Sequence, residues 1–200
     1  MNGKAFTAIS LGGVFAVGLV CTARATPVVA PSPAKLWMEI QHLEKTRAVM
    51  PGSHPFQPGS RNVDVFTTDL SNAAARRAIS GAGSILAVTR YPAGSLLIKN
   101  NYDAHRKLGG ITAMLKLPGY DQANRNWVMA QYAPTGKVVA YGRVNSCDAC
   151  HAMATKFDFV FAPPPQQLLP VAVWKAFFPK QVMNPAYIAL LSKHPEAVVK

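Results

Sequence analysis

Cysteine is scarce in this 200-residue chain: there are three, Cys21, Cys147 and Cys150. So few thiols cannot staple a disulfide framework, and Cys21 falls in a stretch that reads as removable. That leaves one closely spaced pair and no expected structural disulfide. Acids are scarce as well, 9 Asp and Glu against 21 Lys and Arg, for a formal net charge of +12. The bases are scattered rather than run together, so solubility, an anionic membrane surface or an acidic redox partner suits them better than nucleic acid. Long apolar runs are also missing. Ile9 to Val20 falls short of the roughly 20 residues a spanning helix needs. The chain has no internal repeat and no composition shift that marks a second domain.

That apolar stretch is instead the core of an expected signal peptide over 1–25. Lys4 supplies the basic start, Ile9 to Val20 the hydrophobic centre and Ala23-Arg24-Ala25 the small-residue cleavage site. Val20 is too large to precede a lipidated Cys21. Cleavage would leave about 175 residues from Thr26, enough for one domain with a substantial core, and would place the protein in the periplasm, where it would meet no nucleic acid. The expected division is 1–25 signal peptide and 26–60 leader and N-terminal helix, the latter continuous with a domain over 61–200.

The remaining cysteines form Cys147-Asp148-Ala149-Cys150-His151, a C-x-x-C-H run. Two thiols at this spacing can each add to one vinyl group of a haem, and the histidine that follows is placed to bind the iron. Two other chemistries share C-x-x-C. A zinc site wants two more Cys or His at suitable spacing, and a thioredoxin-like pair needs no histidine and sits near a βαβ pattern. Neither fits. One covalently attached haem c with His151 as metal ligand is the reading.

Periodicity and turn residues give the scaffold. Ser32-Pro33 opens a helix over 34–49 with Leu36, Ile40 and Leu43 on one stripe. Proline-rich 51–60 reads as a loop, 61–67 as a strand with Val63 and Val65 on a buried face, and 72–79 as a short helix capped by Ser71. Apolar or alternating runs follow at 85–91, 95–102, 111–117, 127–133 and 138–141, separated by Pro and Gly turns, which predicts an antiparallel sheet. A short helix is expected at 186–192. The fold class is therefore α+β, mainly antiparallel sheet with a few helices packed on it, a single haem-c domain. The late motif and β-rich body exclude small helical electron carriers and four-helix cytochromes c′.

Three segments resemble the cytochrome P-460 family and its relatives, the β-type cytochromes c′. They are Tyr91-Pro92-Ala93-Gly94-Ser95-Leu96-Leu97-Ile98-Lys99, then Leu115-Lys116 followed by Asn126-Trp127, then the C-x-x-C-H run with Asp158-Phe159-Val160-Phe161 beyond it. The resemblance covers about 61–161. It implies a homodimer of long antiparallel sheets with helices on one face and one haem c per subunit. It also implies that Lys99 matches the lysine bonded to a porphyrin meso carbon, a cross-link that supports hydroxylamine oxidation. A strand lysine more often points to water and snorkels its stem, but alternation puts Lys99 on the same face as Leu97, where an unpaired charge in a closed pocket would be costly.

By the same resemblance His151 is the proximal ligand and the other face of the iron is open to hydroxylamine or nitric oxide, with electrons leaving to a small cytochrome. Arg61 matches an arginine near the haem, and Phe159 and Phe161 would cover the proximal side. Met114, Met129 and Met183 are alternative ligands but read as core filler, and Phe66 and Trp127 read as ordinary packing. His42, His54, His105 and His194 read as surface residues. Hydroxylamine-oxidising members carry a distal glutamate as base. Thr112 stands at the matched position here, with Ala113 and Met114 after it and no acid between Asp103 and Asp121. The departure leaves three functions open: oxidation of hydroxylamine, nitric-oxide binding as in a β-type cytochrome c′, and plain electron transfer.

Overall fold

The computed structural model describes residues 28–199, so the expected signal peptide lies outside them. Six antiparallel strands pair in chain order: β1 (Gln57–Arg61), β2 (Asp64–Ser71), β3 (Leu96–Tyr102), β4 (Leu108–Lys116), β5 (Trp127–Tyr132) and β6 (Val138–Gly142). Strand alternation gives this meander two apolar faces, each buried under helix.

On one face lies α1 (Pro33–Lys45). Ser32 caps it by accepting from Lys35 N at 3.2 Å, Pro33 presets its first turn, and Leu36, Ile40 and Leu43 pack on Ile98, Ile111, Ala113, Ala130 and Tyr132. It stops at Lys45 rather than 49 because Arg47 turns left-handed (φ 47°) and Val49 bridges to Leu70. On the other face α2 (Ala73–Ala82) and the segment after it bring Ala75, Ile79, Ile85, Val88 and Tyr91 onto Leu97, Met114, Trp127 and Met129. The same face carries α3 (Asn145–His151), a 3-10 stretch over Ala152–Phe157, and the Phe159–Ala162 segment. Helices thus cover both faces, not one.

The α+β class holds, with a six-stranded antiparallel sheet and five helices among the described residues. Three expected elements differ. The loop over 51–60 and the strand over 61–67 are in fact the β1–β2 hairpin, whose two-residue turn puts Val63 at the tip, 53% exposed. Asp64 closes that turn by accepting from Arg61 N at 3.0 Å. The run 85–91 is a 3-10 turn and an extended segment, because Ile85, Val88 and Tyr91 bury against the sheet face instead of pairing at its edge. Asn72, not Ser71, caps α2: its Oδ1 accepts from Ala75 N and Leu96 N, and its Nδ2 donates to Gly94 O.

Beyond the sheet, α5 (Pro185–Lys193) packs toward β1, and α4 (Val171–Phe177) brings Trp174 against Arg61 at the end of β1. Asn184 caps α5 and ties it down, donating to Gly59 O at 2.8 Å and Val65 O at 2.9 Å. The helix expected at 186–192 is α5; α4 had no counterpart in the sequence reading.

Candidate functional site

Helical spacing decides how the C-x-x-C-H residues are presented. On α3 Cys147, Cys150 and His151 stand at i, i+3 and i+4, so all three share one side of the helix. Cys147 packs against the Leu97–Met114–Met129 cluster, which fixes that side toward the sheet. Both thiols are half-buried and unbonded. Burial, with the Asp148 carboxylate beside it, pushes the Cys147 thiol up; burial also raises Cys150, opposed by the Lys99 and Arg61 charges. Raised thiols are the reverse of an activated thioredoxin-like pair. No group of three or more His, Cys, Asp or Glu that could hold a metal ion occurs among the described residues.

His151 is oriented by the backbone. Its Nδ1 lies 2.7 Å from Phe159 O, an acceptor only, so Nδ1 carries the hydrogen and Nε2 keeps its lone pair. Nε2 makes no hydrogen bond among the described residues. Burial, more than any neighbour, holds the imidazole below its usual range, and therefore neutral, as a metal ligand must be. The Phe161 ring lies 5.4 Å from the imidazole, centroid to centroid. Phe159 instead buries its side chain in the core and contributes its carbonyl.

Opposite this helix the sheet presents an ordered row. Asp69, Lys99, Thr112 and Gln131 are successive cross-strand partners on β2 to β5, on the same face as the Leu97–Met114–Met129 row. Lys99 therefore faces the C-x-x-C-H side, as alternation requires, while Ile98 packs under α1. The Lys99 ammonium lies near enough to depress Cys150, His151 and Asp69 alike. Lys99 and Thr112 are half-buried and Gln131 exposed, whereas the row behind them, Ile98, Ala113 and Ala130, is fully buried. One strip of an otherwise covered face is thus accessible, between a lysine and an imidazole with a bare nitrogen. Two thiols at vinyl spacing, that nitrogen and that strip fit a covalently held haem.

Sequence reasoning missed Asp69. Its carboxylate is 8% exposed, and every hydrogen bond reaches Oδ2: Gln57 Nε2 donates at 2.5 Å and Ser53 Oγ at 3.4 Å. Burial raises its pKa against the pull of Lys99 and these two donors. The available signal was a lone charge in mid-strand at even spacing from Thr67 and Ser71. The resemblance aligns the distal acid two strands away from Asp69, with Thr112. That residue's Oγ1 lies 3.5 Å from Lys99 O. Asp103 is a turn residue, accepting from His105 N and Lys107 N.

Arg61 is held by Asp64, Nη2 to Oδ2 2.9 Å, and its guanidinium lies 4.2 Å over Phe178 and 5.8 Å from the Trp174 ring. Its charge also reaches Cys150, so Arg61 borders the same site. Met114 and Met129 are core residues of the site's face, and Met183 bridges to the Arg61 backbone. Trp127 is fully buried and donates Nε1–H to Asp158 O. Phe66 stacks with Arg106, on the other face from Lys99 by alternation. His42, His54 and His105 are exposed, and His194 pairs with Glu196.

Residues 57–162 match a family model described as Cytochrome P460. Comparison with the curated proteins gave no match.

Proposed function

Since the chain belongs to the cytochrome P460 family and is a haem-binding cytochrome of that family, we propose that it oxidises hydroxylamine at one haem c. Cys147 and Cys150 hold the haem, His151 Nε2 ligates the iron, and Lys99 is the cross-linking residue. The observation that carries the reading is the His151 Nδ1–Phe159 O bond, which leaves Nε2 bare on the helix side shared with both thiols.

When bound, the haem would supply a binding position for the ligand and one-electron redox chemistry, with a small cytochrome as electron acceptor. The chain's own residues do the rest. Oxidising hydroxylamine releases protons along with electrons, so the site needs an acceptor. Thr112 can orient a ligand by its hydroxyl but is a poor base. Asp69, two strands away in the same row, is a carboxylate whose affinity for a proton is raised by burial, and we assign it that role. Arg61, fixed by Asp64 and Phe178, lends positive charge beside Cys150. The rest of the reading places the protein in the periplasm after signal cleavage, with a second copy of itself as partner.

Mass spectrometry of the tryptic haem peptides tests the attachment. One porphyrin joined to peptides containing Lys99, Cys147 and Cys150 is expected. In the ferrous protein the Soret band should lie far to the red of ordinary haem c, and Lys99→Leu should return it; a wild-type spectrum like that of ordinary haem c sinks the cross-link. A second reading, nitric-oxide binding without turnover, draws on Thr112 in place of an acid. It wins if hydroxylamine with an artificial acceptor gives no turnover while the ferrous protein binds nitric oxide.

A further inference from the structure

Two consecutive residues just after the 3-10 stretch take left-handed backbone, Asp158 (φ 56°) and Phe159 (φ 68°). Aspartate tolerates that conformation; phenylalanine does so poorly, and such strain persists only where the surroundings over-determine it. The surroundings here do. The Asp158 carboxylate accepts from Tyr91 N at 2.7 Å and pairs with Lys116 Nζ, 2.7 Å to each oxygen. Its carbonyl accepts from Trp127 Nε1 at 2.7 Å, and Phe159 N donates to Ala154 O at 2.9 Å. Lys116 is anchored in turn by donating to Arg125 O at 2.6 Å and by lying 4.7 Å from the Trp127 ring centroid. Lys116 and Asp158 are both buried, at 5% and 2% exposed.

The group these contacts aim is the Phe159 carbonyl, the acceptor for His151 Nδ1. We propose that Asp158, clamped by Lys116, is a positioning residue for the histidine: it holds the left-handed turn that points Phe159 O at Nδ1, and so fixes the tautomer and ring plane that present Nε2. The proposal rests on the reading of His151 as iron ligand. Hydrogen bonding from the far ring nitrogen raises a histidine's basicity as a ligand, so loosening the turn weakens the bond to the metal rather than abolishing it. An ion pair that merely tied this segment to β4 would affect stability and nothing else.

The test uses the full haem-loaded protein and reads the iron–histidine stretching band of the ferrous form by resonance Raman. Asp158→Ala and Lys116→Met are expected to move the band to lower frequency, and Asp158→Asn to move it less. The Asn variant keeps a residue tolerant of left-handed backbone and an oxygen for Tyr91 N, so it serves if the others fail to fold. Ser32→Ala, which removes the cap of α1 on the opposite face of the sheet from His151, is the control for destabilisation alone and should leave the band in place. If Asp158→Asn lowers the melting temperature as the control does without moving the band, the clamp is only structural and the proposal falls. A wild-type ferrous spectrum with no iron–histidine band overturns the ligand reading itself, and is distinguishable because it precedes any substitution.

Discussion

In the His151 imidazole, the Asp69 carboxylate and the Lys116 ammonium, burial more than any one neighbour shifts the balance toward the neutral form, and the neighbours oppose or trim that shift. Asp69 gives a pH signature. Its folded pKa lies above the ordinary 3.8, so the folded state holds a proton that the unfolded chain has lost; this contribution is fullest below that value and fades as pH rises through the folded pKa. Relative to wild type, Asp69→Asn should therefore gain stability from about pH 4 toward neutrality, as read by urea denaturation across that range. A constant difference would show that Asp69 does not titrate in that window. Lys116 behaves differently. Burial lowers it and Asp158 pulls it back, and removing one partner of a buried pair strands the other. Lys116→Met should cost roughly 3–5 kcal/mol in chemical denaturation, and adding Asp158→Asn should recover part of that. At this scale the sequence was legible wherever a motif names its residues: Cys147, Cys150, His151 and the face of Lys99. It passed over Asp69, and it named Lys116 and Asp158 only as parts of matching segments without pairing them, because the partners of these three lie 9 to 67 positions away along the chain and meet only through the fold.

Elements were legible where period and cap agree. α1 announces itself through Ser32-Pro33 and a Leu36–Ile40–Leu43 stripe, and β3 to β6 through turns rich in Gly and Pro. The β1–β2 hairpin was not, because its turn, Asn62-Val63, lacks glycine and is closed by the Asp64 side chain. Nor was the fate of 85–91, since a short apolar run fits a strand and a buried extended segment equally well. Asn184 shows how much one polar side chain can organise: it caps α5 and bonds to both strands of that hairpin. Asn184→Ala should cost about 1–3 kcal/mol, with faster amide exchange in α5 and β1 than in β4. Uniform exchange across all three would show that the tie does not govern the C-terminal helices.

Over the whole molecule, the family match stops at 162 while the folded chain continues to the end of the described residues. The added segment is not an appendage. Leu168 is 0% exposed, Tyr187 is 2% exposed and bonds through its hydroxyl to Leu169, and Trp174 and Phe178 flank Arg61. A chain ending at 162 should melt on the order of ten degrees lower, since two large buried side chains alone represent about 3–6 kcal/mol. Circular dichroism on heating would check this; an unchanged melting point would make the segment a separate attachment. The α+β class was readable from alternation and turn spacing, but the helix cover on both faces emerged only from which stripes the sheet buries.

The strand order carries a consequence for how the molecule is made. Because each strand pairs with its predecessor, four of the five ladders close as hairpins, the local kind of contact that forms early and fast, and the fifth, β2–β3, spans the connection that carries α2. Residues 57–142 can therefore complete the sheet, with Lys99 already in register between Asp69 and Thr112, before α3 has docked. Cys147, Cys150 and His151 would then reach a sheet surface that is already set, and on the proposed covalent attachment the two thiols would meet their haem against a formed scaffold rather than help to build it.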